Sequence, residues 1–404
     1  MRPPGLLDFL IILCLTAKPA QPKEPEGKRD QENTSKSLDI YSALRDPKTG
    51  DVRLFMEYFP KHPNDKEEGE HDPHPRDVFL GCVFSHHRNF TEKLEVEAKD
   101  IRQMAPPGNT WVDCPGQTEE FRFVKVQLQS GHVHQQIVKV EDVPAERAGA
   151  VVACVAPLFS LRPDIHHWLY HYTQLGVSKF HMYTPSLHAH EATQYNEPHE
   201  VWMTVRGFNF RMGETHTDPF HPFDHPLVTW HRYSPSNREN YFGQVLMYNE
   251  CLMRSKYAYD YAVLLDVDEF IYINSTTLGR KGPVPLPQFL RATFPSKVAS
   301  LEFAAYAYPK NCPASTTGSF FDRHRIREKN VLKHHIKVVV KPKFVTEVFV
   351  HFVIAVVDGW EVKHVVPVES AFLKHIVWLS PIHAICRVYV YEDTGLAPGE
   401  EGQN

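Results

Sequence analysis

The pattern of apolar and polar residues changes near residue 149 and divides the chain into two regions. Upstream, short apolar runs such as Val78–Leu80 and Phe121–Val126 lie between turn residues and predict strands. Downstream, longer apolar runs alternate with segments of helical period, which predicts alternating strands and helices. We therefore expect a small β-rich domain over residues 77–148 and an α/β domain over residues 149–390.

The α/β region opens with a strand, a helix and a second strand. Val151–Ala156 is a continuous apolar run, as in a strand that is buried on both faces. Pro163 then begins a helix with an apolar stripe of period 3.6, and Gly176 ends it. Val177–Tyr183 is the next strand. A βαβ unit of this kind predicts parallel pairing of the two strands.

Further elements continue the alternation. Ser236–Glu239 has a capping-box pattern and begins a helix that leads to the next apolar strand. A short helix is expected around Gln288–Thr293 and a strand over Val298–Phe303. Residues 335–357 carry long β-branched runs, which favour strands. Ser370–Ile376 is expected to form the last ordered helix or turn.

The terminal segments are poor in core-forming residues. Residues 1–20 contain a short apolar run after Met1-Arg2. A spanning helix needs ~20 apolar residues, so this run predicts a signal peptide or a short signal anchor and leaves membrane attachment open. Residues 21–76 are expected to be a polar linker or stalk with one strand at Val52–Tyr58, and residues 391–404 a flexible tail.

Charge and glycosylation motifs narrow the partners and the compartment. The formal net charge of −5 gives no electrostatic basis for binding nucleic acid. Asn-x-Ser/Thr motifs favour the secretory route. They begin at Asn33, Asn89 and Asn274.

The cysteines are consistent with an oxidising compartment. An even number of them follows Cys14. Cys82 and Cys114 lie in the same β-like region and are a plausible disulfide pair. Cys154 and Cys251 lie inside apolar elements, and the sequence predicts that they are buried thiols.

Asp266, Asp268 and Glu269 form the most informative cluster, because they end an apolar run. Repulsion and desolvation make such a cluster costly unless a cation or a proton offsets them. Open α/β sheets bind ligands at the carboxyl ends of their strands. The cluster therefore predicts a hard divalent metal that acts with a phosphate-bearing substrate.

Three other interpretations of this cluster are disfavoured. A solvated acidic turn would not have apolar residues on both sides. A calcium loop requires Gly and Glu where Ile271 and Thr277 stand. A phosphohydrolase with an aspartyl nucleophile has a small or hydroxyl residue where this chain has Phe270. Nucleotide-sugar transfer remains, in which a metal neutralises the charge on the departing nucleoside diphosphate.

Residues 151–376 resemble glycosyltransferase family 92. The run Leu265–Phe270 is the specific match, and the order and spacing of the flanking motifs support it. The other matching segments are Val152–Pro157, Trp168–Tyr183, Gly243-Gln244, Asn249–Leu252, Lys337 with Pro342, His351 and Leu373–His375.

The resemblance implies a GT-A-type fold, which is a Rossmann-like mixed sheet with one metal-dependent nucleotide-sugar site. Family members transfer galactose from UDP-galactose with inversion, to plant galactan or to animal N-glycan cores. It thus implies Mn²⁺, a UDP-sugar donor, an oligosaccharide, polysaccharide or glycoprotein acceptor, and the Golgi lumen or membrane. A catalytically degenerate carbohydrate-binding protein of the same fold is the alternative.

The resemblance also implies roles for individual residues. Asp266 and Asp268 would act at the metal and the nucleotide ribose, and His375 would be the third protein group at the metal. Lys337 would lie near the donor phosphates. Inversion needs a carboxylate base that deprotonates the acceptor hydroxyl. The candidates for this base are Glu302, Glu347 and Glu361.

Overall fold

The structure is a computed structural model, and its described part contains two large mixed sheets, three helices and several small strand pairs. The predictions for residues 1–36, Pro163 and Ser236–Glu239 lie outside the described residues, as do Cys312 and Cys386. The described residues are 37–59, 78–104, 109–116, 121–155, 158, 165–184, 201–205, 208–212, 227–232, 243–277, 279, 282–309, 324–328, 330–377 and 391–392.

The strands before residue 149 form one sheet of eight strands. They are β1 (Ser37–Arg45), β2 (Val52–Phe59), β3 (Phe79–Ser85), β4 (Leu94–Glu97), β5 (Asp100–Gln103), β6 (Asn109–Cys114), β7 (Phe123–Leu128) and β8 (Val138–Asp142). Their spatial order is β4, β3, β7, β8, β1, β2, β6, β5. Only β1 and β8 pair in parallel among the described neighbours.

This sheet folds back on itself around its own core. Apolar residues of β3 and β7 pack with those of β1, β2 and β6 in one buried cluster. The Cys82–Cys114 disulfide, which the sequence predicts, joins β3 to β6 across that core. Because these strands are distant in the hydrogen-bonding order, the bond closes the two halves of the sheet on each other.

The sheet begins at Ser37, well before the expected start at residue 77. β1 and β2 lie in its middle, between β8 and β6. Their alternate residues, such as Ile40 and Leu54, are buried. The interval expected to be a linker therefore contributes two strands to the sheet, because a short amphipathic strand buries enough apolar surface once neighbours flank it on both sides.

The remaining strands lie downstream. They are β9 (Gly149–Val155), β10 (Lys179–Thr184), β11 (Val201–Val205), β12 (Phe208–Met212), β13 (Val228–Arg232), β14 (Tyr259–Leu265), β15 (Glu269–Ile273), β16 (Ser300–Pro309), β17 (Ile326–Arg327), β18 (Leu332–Val340), β19 (Val345–Val348), β20 (Val353–Val356), β21 (His364–Val365), β22 (Ala371–Val377) and β23 (Tyr391–Glu392).

Nine of these strands form the second large sheet. Its path is β13, β10, β9, β14, β18, β16, β22, β15, with β21 beside β16. The first four strands of the path are parallel to one another, as the βαβ pattern predicts. β18 is antiparallel to β14 and to β16, so the sheet is mixed. Along the path, the numbers of these parallel strands fall from β13 to β10 to β9 and then rise to β14. The order of the strands therefore reverses between β9 and β14.

Three helices cover this sheet. α1 (Ile165–Gln174) and α3 (Leu286–Thr293) contribute to the core on one face. α2 (Gln244–Ser255) packs on the other face and also against the eight-stranded sheet. Gly176 ends α1 as predicted, with a φ of 92° that a side chain would strain. The predicted short helix near Gln288–Thr293 is α3.

Ser370–Ile376, expected to be a helix or turn, is instead the strand β22, so that prediction is wrong. β22 is parallel to β16 and antiparallel to β15. Its seven residues are too few for a helical period to be distinguished from a strand. Pairing on both sides satisfies its backbone and decides its conformation.

Cys154 and Cys251 form a disulfide, so the expectation of two buried thiols is wrong. Both residues are fully buried, as expected. Cys154 lies on the face of β9 that packs against α2, and Cys251 lies in the middle of α2. Alternation along a strand puts every second side chain on that face, and helix packing then brings the two sulfurs together.

No helix within the described ranges has the length and apolar character needed to span a bilayer.

Removal of the Cys154–Cys251 disulfide should destabilise the protein by about 2–4 kcal/mol, because the bond constrains a long loop in the unfolded chain. The Cys154→Ala/Cys251→Ala variant should show this loss in urea unfolding followed by fluorescence. The Cys82→Ala/Cys114→Ala variant is the comparison, with a shorter separation of 32 residues against 97. Unchanged unfolding of the first variant would contradict the structural role of the bond.

Candidate functional site

The site is built where β14 reaches the edge of the nine-stranded sheet. Tyr261–Leu265 is buried along its whole length, and Asp266 begins a turn that returns the chain into β15. The carboxylate of Glu269 accepts a hydrogen bond of 2.9 Å from the Asp266 backbone N–H. The Glu269 N–H in turn donates to the Asp266 carbonyl at 3.2 Å. The turn is therefore closed by its own acidic residues.

Both carboxylate oxygens of Asp266 have partners. Its Oδ2 lies 2.9 Å from Nζ of Lys337, which belongs to β18. Its Oδ1 accepts hydrogen bonds from Gln244 at 2.7 Å and from the Tyr248 hydroxyl at 3.4 Å. Gln244 and Tyr248 are one turn apart on α2 and also bond to each other. The helix thus fixes the orientation of this carboxylate.

Lys337 is the central cation of the site. Its side chain is 1% exposed, and its Nζ also lies 3.4 Å from Glu269, which is equally buried. Burial lowers the pKa of Lys337, but Asp266 and Glu269 outweigh burial and hold this pKa well above its usual range. The ammonium therefore stays charged, and its described contacts are with these carboxylates.

The two partner carboxyls differ in their proton affinity. Burial raises the pKa of Asp266, but the charge and hydrogen bond of Lys337 outweigh it and hold the pKa below its usual range. Burial raises the pKa of Glu269 well above its usual range; Lys337 opposes this effect, while Asp266 and Asp268 add to it. Asp266 is thus the ionised partner of Lys337, and Glu269 is the carboxyl that resists ionisation.

Helix α1 holds the main chain of the turn from the opposite face. The Trp168 indole donates to the Glu269 carbonyl at 2.9 Å. The Tyr172 hydroxyl donates to the same carbonyl at 3.1 Å and accepts from the Ile271 N–H at 2.9 Å. These bonds are buried, so they restrain the turn strongly in a medium of low polarity.

Asp268 points to a different partner. Its Oδ1 lies 3.7 Å from Nε2 of His375, which lies opposite Glu269 in the β15–β22 register. The Asp268 carbonyl accepts from the Ile376 N–H at 2.8 Å, which fixes the turn against β22. The Asp268 and His375 side chains are 21% and 12% exposed. This pair is therefore accessible from solvent, whereas Lys337 is not.

Two further histidines adjoin this pair. The His335 ring lies 5.3 Å from that of His375 and 6.1 Å from that of His351, between ring centroids. His351 contacts the Ile336 carbonyl at 2.9 Å. Burial, with Lys337 nearby, lowers the pKa of His351 to about 4. Burial likewise lowers the pKa of His375, although Asp268 opposes the effect. The rings of His351 and His375 are therefore neutral at pH 7, as metal ligands must be.

Asp268 and His375 fit a divalent cation as a pair of ligands. Two atoms that each bind one cation at about 2.1–2.2 Å lie roughly 3–4 Å apart, which includes the observed 3.7 Å. The buried Nδ1 of His375 has no hydrogen-bond partner among the described residues. Among the described residues, no group of three or more His, Cys, Asp and Glu is arranged to hold a metal. The contacts of Asp266 are those with Lys337, Gln244 and Tyr248.

The three candidate bases lie on different elements. Glu302 is buried on β16, where it contacts Lys363 at 3.1 Å, and its Oε1 has no hydrogen-bond partner within the described part of the chain. Glu347 is on β19, 3.4 Å from Arg102. Glu361 is exposed, beside the start of β16. The assignment of the base among them stays a prediction.

The sequence reasoning assigns no role to several neighbours of the site. Gln244 and Tyr248 hold Asp266, and His335 lies between the other histidines. Their signals are present in the sequence. Gln244 and Tyr248 have the i, i+4 spacing of one helix face, and His335 and Lys337 have the i, i+2 spacing of one strand face.

Comparison with known families identifies the domain that carries this site. The model of glycosyltransferase family 92 matches residues 149–380, more than half of the chain. The chain belongs to glycosyltransferase family 92. The matched region begins with β9 and extends past β22, so it contains the whole nine-stranded sheet. A search of curated proteins found no match.

Family 92 membership makes this region a glycosyltransferase domain, which implies a nucleotide-sugar donor and a glycan acceptor. Asp266, Asp268, Lys337 and His375 all lie within the matched residues. The family 92 domain is thus an α/β, sheet-rich unit in which the acidic turn after β14 meets β18 and β22.

Substitution of Lys337 by Met should destabilise the protein by about 3–5 kcal/mol, because it leaves the buried Glu269 and the partly exposed Asp266 without their cation. Urea unfolding measures the change. Lys343→Met is the matched control, since Lys343 is exposed three residues after the end of β18, and it should change stability by less than about 0.5 kcal/mol. Equal stability of the two variants would contradict the central role of Lys337.

Proposed function

We propose that this protein is a metal-dependent, inverting glycosyltransferase that moves a hexose, galactose in the first place, from a UDP-sugar to a glycan acceptor. The observation that carries the proposal is the Asp268–His375 pair, which is solvent-accessible and spaced as two ligands of one cation. Family 92 membership supplies the reaction class. The site residues present fit Mn²⁺, which accepts carboxylate and imidazole ligands.

We further propose that the domain is of GT-A type. The parallel strands follow the spatial order third, second, first, fourth along the chain, which is the order of doubly wound nucleotide-binding sheets. In such sheets, ligands bind outside the carboxyl ends of the strands, where chain order reverses. Asp266 directly follows β14, one of the two strands at that reversal. The strand order therefore supports nucleotide binding beside the acidic turn.

The chemistry assigns separate tasks to the residues of the turn. When bound, Mn²⁺ would neutralise the charge on the leaving UDP. Asp268 and His375 would hold the cation and leave its other positions for diphosphate oxygens and water, as hard cations use few protein ligands in such sites. Asp266 would face the nucleotide, and Lys337 would act by fixing Asp266, since its ammonium is buried against that carboxylate.

Inversion requires the acceptor hydroxyl to lose its proton as it attacks the sugar carbon. We keep Glu302, Glu347 and Glu361 as the candidate bases.

We place the protein in the secretory pathway, in the Golgi lumen or attached to its membrane. Two disulfides support an oxidising compartment. The motif residue Asn89 is exposed, as a glycan acceptor site must be.

Asp268→Asn should lower Mn²⁺-dependent turnover of UDP-galactose at least about 100-fold, because the amide removes the anionic ligand without a change of shape. The measurement is release of UDP with and without Mn²⁺. Asp260→Asn is the matched control; Asp260 lies on β14, the strand that precedes the turn, pairs with Arg147 and is 40% exposed.

The control variant should retain turnover, and both variants should unfold at the urea concentration of the parent protein. Full turnover by Asp268→Asn would show that this carboxylate does not bind the metal. A parallel screen of other UDP-hexoses tests the choice of galactose.

A binding protein without catalysis is the second candidate, because no cluster of three metal-binding side chains exists in the described part of the chain. Calorimetry separates the two candidates. A transferase should bind UDP-galactose more tightly when Mn²⁺ is present, since a cation held by Asp268 and His375 would offset the charge of the diphosphate. An equal affinity for UDP-galactose with and without Mn²⁺ would favour the binding protein.

A further inference from the structure

A polar pocket lies between the eight-stranded sheet, helix α2 and the edge of the nine-stranded sheet. Its volume is about 260 Å³. This is slightly below the roughly 300 Å³ at which pockets for small molecules begin, and it suits one small ring. Ser42 and Glu141 line it from the first sheet, Tyr183 and His231 from β10 and β13, and Arg254 from α2.

The floor of the pocket is a network of paired charges. Arg254 contacts Glu250, one turn earlier on α2, and Nη1 of Arg254 donates to Glu141 at 2.7 Å. The Tyr183 hydroxyl donates to Glu250. Burial lowers the pKa of Arg254, but Glu250 outweighs it and raises the pKa above its usual range. Arg254 therefore stays charged and is paired with both carboxylates.

One polar atom in the pocket wall has no protein partner. The hydroxyl of Ser42 is buried, with the residue 6% exposed, and no described group hydrogen-bonds to it. A buried hydroxyl without a partner costs about 1–3 kcal/mol, so such atoms are rare unless a water or a ligand satisfies them. Ser42 lines the pocket and can therefore be satisfied by what the pocket holds.

The side wall of the pocket is aromatic. The His231 ring stacks on Tyr183 with centroids 4.9 Å apart. His231 also contacts His181 at 2.8 Å between ring nitrogens. Burial lowers the pKa of His231 to about 3, so this ring is neutral at pH 7. Trp230 and Phe55 complete the wall.

These features favour a neutral polyhydroxylated ligand. Arg254 is already matched by two carboxylates, so an anion would meet excess negative charge and a cation would compete with the guanidinium. A sugar ring has C–H faces that pack on aromatic rings and hydroxyls that both donate and accept. Ser42, Glu141 and Arg254 offer complementary acceptors and donors.

The pocket and the acidic turn both lie at the carboxyl ends of the parallel strands. Leu265, Val155 and Met182 are aligned in register across β14, β9 and β10. Asp266 follows Leu265, and Tyr183 follows Met182. Because β14 and β10 are two strands apart, the backbones of Asp266 and Tyr183 are about 10 Å apart. Helix α2 borders both places, with Gln244 at Asp266 and Glu250 at the pocket, about 9 Å apart along the axis.

We propose that this pocket binds one neutral sugar unit of the acceptor glycan. Its identification as an acceptor subsite rests on the proposed transferase function, whereas sugar binding itself does not. A chain that occupied the pocket would pass along α2 toward the acidic turn. The eight-stranded sheet would thus contribute directly to acceptor recognition.

The first test uses Ser42→Ala in the full chain. Because the substitution removes a buried hydroxyl without a partner, it should not lower the melting temperature. It should weaken binding of the pocket's sugar about three- to tenfold, the loss expected for one hydrogen bond. Ligand-observed NMR titration with the methyl glycosides of galactose, glucose, mannose and N-acetylglucosamine measures the affinity.

The second test compares adjacent carboxylates on β8. Glu141→Ala removes a pocket residue, and Asp142→Ala removes an exposed carboxylate that pairs with Arg45 outside the pocket. Each variant loses one ion pair, so their stabilities should be similar. Only Glu141→Ala should weaken sugar binding, again about three- to tenfold.

Asp268→Asn separates this proposal from the transferase proposal. Sugar binding should be unchanged in that variant, even where donor turnover is lost. Absence of binding of all four glycosides by the parent protein overturns the pocket proposal, as does equal affinity of Ser42→Ala, Glu141→Ala and the parent. Loss of binding in Asp268→Asn alone would place the sugar at the acidic turn and also overturn it.

Discussion

The buried ammonium of Lys337 is the constraint on which the site depends. A buried strand that ends in three carboxylates is costly, and a single cation with two of them as partners removes much of that cost. Lys337 reaches the turn because β18 lies antiparallel beside β14. The pairing of β18 with β14 therefore determines both the order of the central sheet and the charge balance of the turn.

Helix α2 connects the eight-stranded sheet to the nine-stranded sheet. It is buried against both large sheets, and the Cys154–Cys251 disulfide fixes it to β9. Its first residue, Gln244, orients Asp266, while its last turn carries Arg254 into the polar pocket. A shift of the eight-stranded sheet would move this helix and hence both places. The amino-terminal sheet is in this sense part of the transferase structure.

The sequence predicts the local elements of this protein well and their long-range partners poorly. The run before Asp266 identifies β14, and the βαβ pattern identifies the parallel pairing of β9 and β10, because both signals are local. β22 is missed because seven residues do not reveal a period. The pairing of Lys337 with Asp266 spans 71 residues and depends on sheet order, for which no local pattern exists. The same reason explains the disulfide between Cys154 and Cys251.

Contacts within the protein stabilise the three carboxylates of the turn without a bound cation. Glu269 closes the turn and Asp266 pairs with Lys337, so both serve the fold. Asp268 alone combines exposure with a neutral imidazole partner. Burial raises the pKa of Glu269, and the neighbouring charges of Asp266 and Asp268 raise it further. A divalent cation at Asp268 and His375 would offset those neighbouring charges and favour ionised Glu269, so cation binding and closure of the turn should stabilise each other.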